Sequence, residues 1–353
     1  MTKAAQLDRD AVRIGDLVIG DGRPVVVIGG RDARWVRLHG DGGTPGTPGT
    51  PGTPGTPGGT PGGAPGDGAG PVPGTPGDAP ALGSSGDGSS RNGRTAEAGP
   101  LLMEPATVAD LPVVARHADG VVVGAAWAAD PDLVRAAARL GLPVVLQRGI
   151  GRHGRAVTLE EWLAAVDDCA AEGNEAVVLC ESGGRGEPED AAPDLGLMRA
   201  ARARAGRPVL AGLGADGGLA GAAVVAGADG LLVGPGAPAP TLAAAHEAAT
   251  VMAALVRRDD PETLGAARAA IDRVDAALAT LLERRAALAG RIQRLKPVGG
   301  FRGRDMERER RLVEAMARRA PSLGAGRLAP IMNAVIEAGL RLSEETRDGE
   351  ERR

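Results

Sequence analysis

The sequence predicts an α/β barrel followed by an all-α domain, and three observations carry that reading. From residue 99 short apolar runs alternate with amphipathic stretches. Runs that are apolar without interruption are strands buried on both faces, as in a parallel sheet. From about residue 260 the runs stop and apolar residues recur at heptad spacing. Leu264, Ile271, Leu278 and Ile292 form one line, and Val274, Leu281, Leu288 and Leu295 the other, which predicts one long helix. Between these patterns and the N-terminus lies a block, residues 41 to 98, that has neither.

In chain order, PVVVIGG (24–30) reads as a first strand and WVRL (35–38) as the remnant of a second. The block opens DGGTPGTPGTPGTPGTPGG and decays through GAPGDGAGPVPGTPGDAP into GSSGDGSSRNGR. It has no apolar surface to bury, so disorder is expected. Glycine at every third position also fits a collagen helix, but the run is short and soon broken. One β–α unit is reduced or missing where the block sits. Six strands follow: GPLLMEP (99–105), GVVVGA (120–125), PVVLQRG (143–149), AVVLCESGG (176–184), PVLAGLGA (208–215) and GLLVGPG (230–236). Stretches such as 158–173 and 241–258 supply helices between and after them, and the whole suggests a (β/α)8 barrel. The expected divisions are 1–40, the first barrel strands; 41–98, the insert; 99–258, the rest of the barrel; 260–346, the helical domain; and 347–353, a charged tail.

In the helical domain the first helix should span 263–296 and stop at Pro297. Asp305 is placed to cap a second helix over 306–319. A third, over 326–345, carries Pro330 in its first turns and an apolar series from Leu328 to Leu340. A first helix of about 33 residues is about 50 Å long, more than two short helices can cover. A second copy of the chain is expected to bury the remainder, giving an intertwined helical dimer.

Composition excludes several classes. The net charge of −4 and pI near 5.7 argue against a nucleic-acid or anionic-membrane partner. No apolar run looks long enough to span a membrane, and MTKAAQLDRDAV lacks the apolar core of a signal peptide, so a cytoplasmic location is expected. Cys169 and Cys180 show no metal-ligand or disulfide pattern and read as buried, reduced thiols. With no Tyr, one Phe and three Trp, the cores must be built from Ala, Val and Leu.

Arg285 occupies a seam position whose heptad neighbours are Leu or Ile. A cation there is costly unless an anion meets it. Lys296 follows about three helical turns later and projects from nearly the same face. Two cations on a buried face suggest a pocket for a small polyanion.

Together with Arg268 and the D-x-x-R-E motif Asp305, Arg308, Glu309, this pattern resembles a type II, all-helical chorismate mutase. IMNAVIEAGLRLSEE is similar to that family's third helix. The resemblance implies that Arg285 and a partner chain's Arg268 hold the two carboxylates of chorismate, and that Lys296 approaches the breaking ether bond. It further implies that Glu309 and the backbone near Asp305 hold the ring hydroxyl, with Arg308 orienting Glu309. The residue types suit the chemistry. Rearrangement of chorismate to prephenate is unimolecular and needs no nucleophile, metal or cofactor. It needs a compact conformer and a cation where charge builds on the ether oxygen. RGRDMERERR alone would read as a solvated charge run; six matched positions on two helices favour the site. Two positions depart from the family: its third-helix glutamine is Ser343, and its hydroxyl-bearing residue one turn earlier is Gly339.

The barrel resembles the metal-dependent 3-deoxy-7-phosphoheptulonate (DAHP) synthases through VRIGDLVIGDGRPVVVIGG, LPVVLQRG, EGNEAVVLCESGGR and AGADGLLVGPG. The family's metal-binding cysteine, histidine and glutamate correspond to Asp32, Ala215 and Gly234. Its phosphoenolpyruvate-gripping lysine-arginine-glycine is Gln147-Arg148-Gly149, the arginine after Glu181 is Ser182, and its sugar-phosphate segment has no match. The resemblance therefore implies a degenerate barrel without a metal. Arg148, Glu181 and Arg185 remain at strand ends, as a residual anion site or as a structural ion-pair cluster. The leading expectation is a chorismate mutase of aromatic amino-acid or related secondary metabolism on an inactive barrel. Two alternatives stand beside it. One is the same clamp acting on 4-amino-4-deoxychorismate or isochorismate. The other is a non-catalytic regulatory partner of shikimate-pathway enzymes.

Overall fold

The computed structural model describes residues 11–20, 22–38, 99–125, 131–150, 155–183, 192–214, 217–257, 260–295 and 301–351. The low-complexity block, Arg185, Ala215 and Lys296 lie outside these residues.

The described residues begin with a hairpin that the strand count from sequence left out. β1 (Ala11–Ile14) pairs antiparallel with β2 (Leu17–Gly20) across a turn at Gly15, whose φ is +60°. Eight parallel strands follow: β3 (Val26–Ile28), β4 (Arg34–Arg37), β5 (Leu101–Glu104), β6 (Gly120–Val123), β7 (Val144–Gln147), β8 (Val177–Glu181), β9 (Val209–Leu213) and β10 (Gly230–Val233). Their order is β3-β10-β9-β8-β7-β6-β5-β4, a nearly closed barrel. Among the described residues, the ladder between β3 and β4 consists of the parallel bridge Ile28–Ala33. Residue 33 thus stands level with the end of β3, and β4 continues beyond it. That explains how residues 29–33 replace a helical crossover, which ordinarily takes a dozen residues or more. The tight link needs Gly29, at φ +88°, because a Cβ there would sit 2.1 Å from the Val233 carbonyl oxygen.

The strands are apolar on both sides because both sides are covered. Val26, Ile28, Trp35, Leu102, Val122, Val145, Val178, Cys180, Leu210 and Leu232 form the inner cluster, joined by Val12, Ile14 and Ile19 of the hairpin. Ile14 reaches Gly120, the first residue of β6, so the hairpin plugs the N-terminal end. The alternate residues, including Val121, Val123, Val144, Leu146, Val177 and Leu179, face the helices. Those are α1 (Leu111–His117), α2 (Pro131–Ala138), α3 (Leu159–Ala171), α4 (Leu195–Ala205), α5 (Ala220–Val225) and α6 (Ala239–Val256), the last with a π-helical stretch at Ala248–Met252. α6 is apolar and long enough by composition to cross a membrane, which the sequence reading had excluded for every run. In the fold it is the last outer helix of the barrel, with Ala245, Ala248, Ala249 and Ala253 buried in the shared core.

Two polar contacts fix this layer. The Trp162 indole donates to the Leu146 carbonyl at 3.2 Å, fastening α3 to β7. Asn174 donates to the carbonyls of Ala138 and Leu142 at 3.1 and 2.8 Å and accepts from the Ala176 amide at 3.0 Å. One buried side chain therefore ties the α2–β7 turn to the start of β8.

The helical half contains α7 (Leu264–Leu295), α8 (Met306–Arg319) and α9 (Gly324–Glu351). α9 runs six residues further than the expected end at 345. α7 packs on α9 and also on the π-helical part of α6, where Arg284 pairs with Glu247 at 2.7 Å.

We expect Asn174→Ala to lower unfolding stability by about 2–4 kcal/mol, since it strands two carbonyls and an amide in the interior. Urea denaturation followed by far-ultraviolet circular dichroism measures this. A loss below about 0.5 kcal/mol would mean that water replaces the side chain.

Candidate active site

α7, α8 and α9 enclose a cavity of about 420 Å³ walled by Leu288, Ile292, Leu312, Ile336 and Leu340. Arg285 and Gln293 enter it from α7, Arg308 and Glu309 from the first turn of α8, and Arg304 from the preceding loop. Asp305 sets the start of α8. It is the N-cap, its Oδ1 accepting the Arg308 amide at 2.9 Å and its carbonyl the Glu309 amide at 3.0 Å. That cap places residues 308 and 309 at the cavity.

The cations fall into two kinds. Arg285 donates from Nη1 to the Val335 carbonyl at 3.4 Å, and among the described residues no carboxylate pairs with it or with Arg308. Arg304, by contrast, is fully committed. It grips Glu309 with two bonds, Nε to Oε1 at 3.0 Å and Nη2 to Oε2 at 2.6 Å. It also donates to Asn333 at 2.7 Å and Glu337 at 3.5 Å, and Asn333 in turn donates to Glu337 at 2.9 Å. The bonds to Glu309 hold the Arg304 guanidinium above its usual range.

The contact on Glu309 that the resemblance assigned to Arg308 is thus made by Arg304. Adjacent helical residues point about 100° apart, so Arg308 and Glu309 diverge while the loop residue folds back. Sequence reasoning missed both Arg304 and Gln293. Arg304 lies outside any periodic segment, and Gln293 stands one position past the seam residue Ile292.

Ser343 does not line the cavity. Its hydroxyl donates to the Gly339 carbonyl at 2.8 Å along its own helix. At this level α7 and α9 approach closely over small residues. A Cβ on Gly339 would meet Ala289 at 3.7 Å and Arg285 at 3.9 Å, and one on Gly290 would meet Ser343 at 3.7 Å. Arg268 is exposed near the start of α7. Seventeen residues of continuous helix put it about 25 Å from Arg285, so it does not reach this cavity within one chain. Lys296 lies just past the last described turn of α7.

In the barrel, Arg148 and Glu181 face each other in a buried bidentate pair. Arg148 also donates to the Val157 carbonyl at 3.3 Å. Glu181 accepts the amides of Gly183 and Asp194 at 2.8 and 3.3 Å. The two charges satisfy one another. Asp32 accepts the Val27 amide at 2.7 Å, an interaction that braces the 29–33 link.

The chorismate mutase type II family model matches residues 267–344 and the DAHP synthetase I family model residues 98–210. Among solved structures, the chain is similar to a truncated form of 3-deoxy-D-arabino-heptulosonate 7-phosphate synthase from Thermotoga maritima. Identity is 29%, over 38% of this chain and 52% of that one, with a TM-score of 0.35. A phospho-2-dehydro-3-deoxyheptonate aldolase (DAHP synthase) from the same organism is 19% identical over 64% of each chain, with a TM-score of 0.42. The chain therefore spans less than two thirds of either structure's length. No curated protein matches it. On the matched segments, the three helices around this cavity are a type II chorismate mutase domain, and the barrel before them carries a domain of the DAHP synthetase I family.

Proposed function

We propose that the chain is a chorismate mutase that converts chorismate to prephenate, carried on a barrel without DAHP synthase activity. One observation supports it above the rest. The cavity combines two guanidinium groups, of Arg285 and Arg308, that no described carboxylate neutralises with one carboxylate, of Glu309, that is neutralised by Arg304. That balance suits a compact dianion bearing a hydroxyl. Arg285, with a partner chain's Arg268, would hold the carboxylates, Arg308 would add positive charge beside them, and Glu309 would accept a hydrogen bond from the hydroxyl. Lys296, by resemblance, would stand at the ether oxygen where charge builds. The cavity does the rest by holding the flexible substrate in the conformer that reacts. The matches to the chorismate mutase type II and DAHP synthetase I families support a role in aromatic biosynthesis.

The proposed assembly is a homodimer through α7. Ile271, Val274, Leu278 and Leu288 of its seam are all more than half exposed, and Arg268 would serve the neighbouring subunit's cavity. A second reading, binding without turnover, draws on Ser343, whose hydroxyl is turned onto its own helix where the family has a glutamine. Chorismate depletion with prephenate detection on the purified protein separates the two. Turnover of isochorismate or 4-amino-4-deoxychorismate with chorismate left undepleted would instead indicate the related-substrate alternatives.

For the barrel, the residues at the metal positions do not fit a divalent ion. Asp32 is engaged by the Val27 amide, Gly234 has no side chain, and a hard cation needs several fixed ligands. We expect no DAHP from phosphoenolpyruvate and erythrose 4-phosphate with Mn²⁺, Co²⁺ or Zn²⁺. Metal-dependent product above a heat-killed control would overturn this.

We also expect Arg285→Ala and Lys296→Ala each to lower kcat/KM for chorismate by about a hundredfold, the usual cost of losing a charge-stabilising group, with helix content unchanged. Turnover near wild type in either variant would remove that residue from the site. Mixing Arg268→Ala with Arg285→Ala should restore one intact site per heterodimer. Variants that exchange subunits and recover nothing would sink the shared-site dimer.

A further inference from the structure

We propose that Arg304 is a positioning residue for Glu309, and that by neutralising it Arg304 makes the cavity select a ring hydroxyl over a ring ammonium. The proposal deepens the mutase reading and rests on it. Both oxygens of Glu309 are held in one plane by the Arg304 fork, at 3.0 and 2.6 Å. Bidentate pairing of this kind fixes the carboxylate in orientation as well as position. Each oxygen keeps a free lone pair, so the group still accepts a hydrogen bond.

The charges around Glu309 decide what it accepts. Glu337 approaches Arg304 at 3.5 Å and Arg341 at 3.7 Å. Two carboxylates and two guanidiniums therefore cancel. On its other side the cavity presents Arg285 and Arg308. An ammonium brought to Glu309 would meet no net negative charge and two nearby cations. A neutral hydroxyl gives one hydrogen bond and meets no such penalty. Arg304 also tethers its loop to α9 through Asn333, and a purely structural tether would affect both ligands alike. The ratio between ligands separates the roles.

The test uses the full-length protein with Arg304→Gln, Arg304→Ala, Arg304→Lys, Glu309→Gln and the double variant Arg304→Gln/Glu309→Gln. For each, kcat/KM and calorimetric dissociation constants are measured with chorismate and 4-amino-4-deoxychorismate. Wild type should favour chorismate. Arg304→Gln and Arg304→Ala should narrow that preference by about tenfold or more, as expected when a partly buried charge loses its partner. Arg304→Lys should keep it. On the Glu309→Gln background, removing Arg304 should leave the ratio within about twofold. Arg304→Gln retains length and polarity, so it decides the matter if Arg304→Ala fails to fold. An unchanged ratio in Arg304→Gln, an equal change on the Glu309→Gln background, or a wild-type preference for the amino ligand would overturn the proposal. Wild type that binds both ligands but converts neither would end the mutase reading, and the dissociation constants would still judge Arg304. Wild type that binds neither ends both.

Discussion

The long helix α7 sets the terms for the C-terminal half of the molecule. At 32 residues it is about 48 Å long, and of those residues only Ala277 is buried among the described contacts. Its later turns rest on α9 and frame the cavity; its middle leans on α6, with Arg284 on Glu247. Yet Leu, Ile and Val recur at seam spacing from end to end, and most of them stay in water. Each exposed Å² of that seam forgoes about 25 cal/mol. Such a helix is a poor solution for one chain alone, and the same geometry that leaves it uncovered separates Arg268 from Arg285. On the proposed dimer, one partner chain would both cover the seam and bring Arg268 to the cavity.

Much of this was legible in the sequence because it is periodic or local. The heptad apolar series marks α7, Asp305 marks the start of α8 as its N-cap, and α8 ends at Arg319 as the pattern suggests. The barrel strands announce themselves as continuous Val and Leu runs, since helices cover one side and the interior the other. What escaped has no period. The β1–β2 hairpin is two four-residue strands, too short to stand out, and its Val12, Ile14 and Ile19 find their partners only once the barrel exists. The five-residue link after β3 works because β4 starts where β3 stops, a stagger that no local pattern encodes. Arg304 meets Glu309 by a loop folding back over a helix start, and Asn333 and Glu337 join them from a helix about thirty residues on.

Several charged groups of the barrel stand in pairs. Arg148 with Glu181, Arg37 with Glu104 and Arg207 with Glu175 are all closed on themselves. Burial nevertheless pushes Glu104 above the ordinary carboxylate range, with Arg37 opposing that shift. Burying such a pair carries a desolvation cost that its mutual attraction only offsets, but a charge with a well-placed partner needs no ligand to complete it.

The helical cavity is built on the opposite arrangement. Here the paired group, Glu309 with Arg304, stands beside Arg285 and Arg308, which have no carboxylate among the described residues. Cations held beside Leu288, Ile292 and Leu340 are poorly compensated; on the proposed reading an anionic ligand would supply the missing charge and the apolar wall would select its shape. The difference between the two halves therefore lies less in which residues each contains than in which charges each leaves unmatched. In the barrel Arg148 is turned inward onto Glu181, whereas Arg285 and Arg308 of the mutase domain face the cavity.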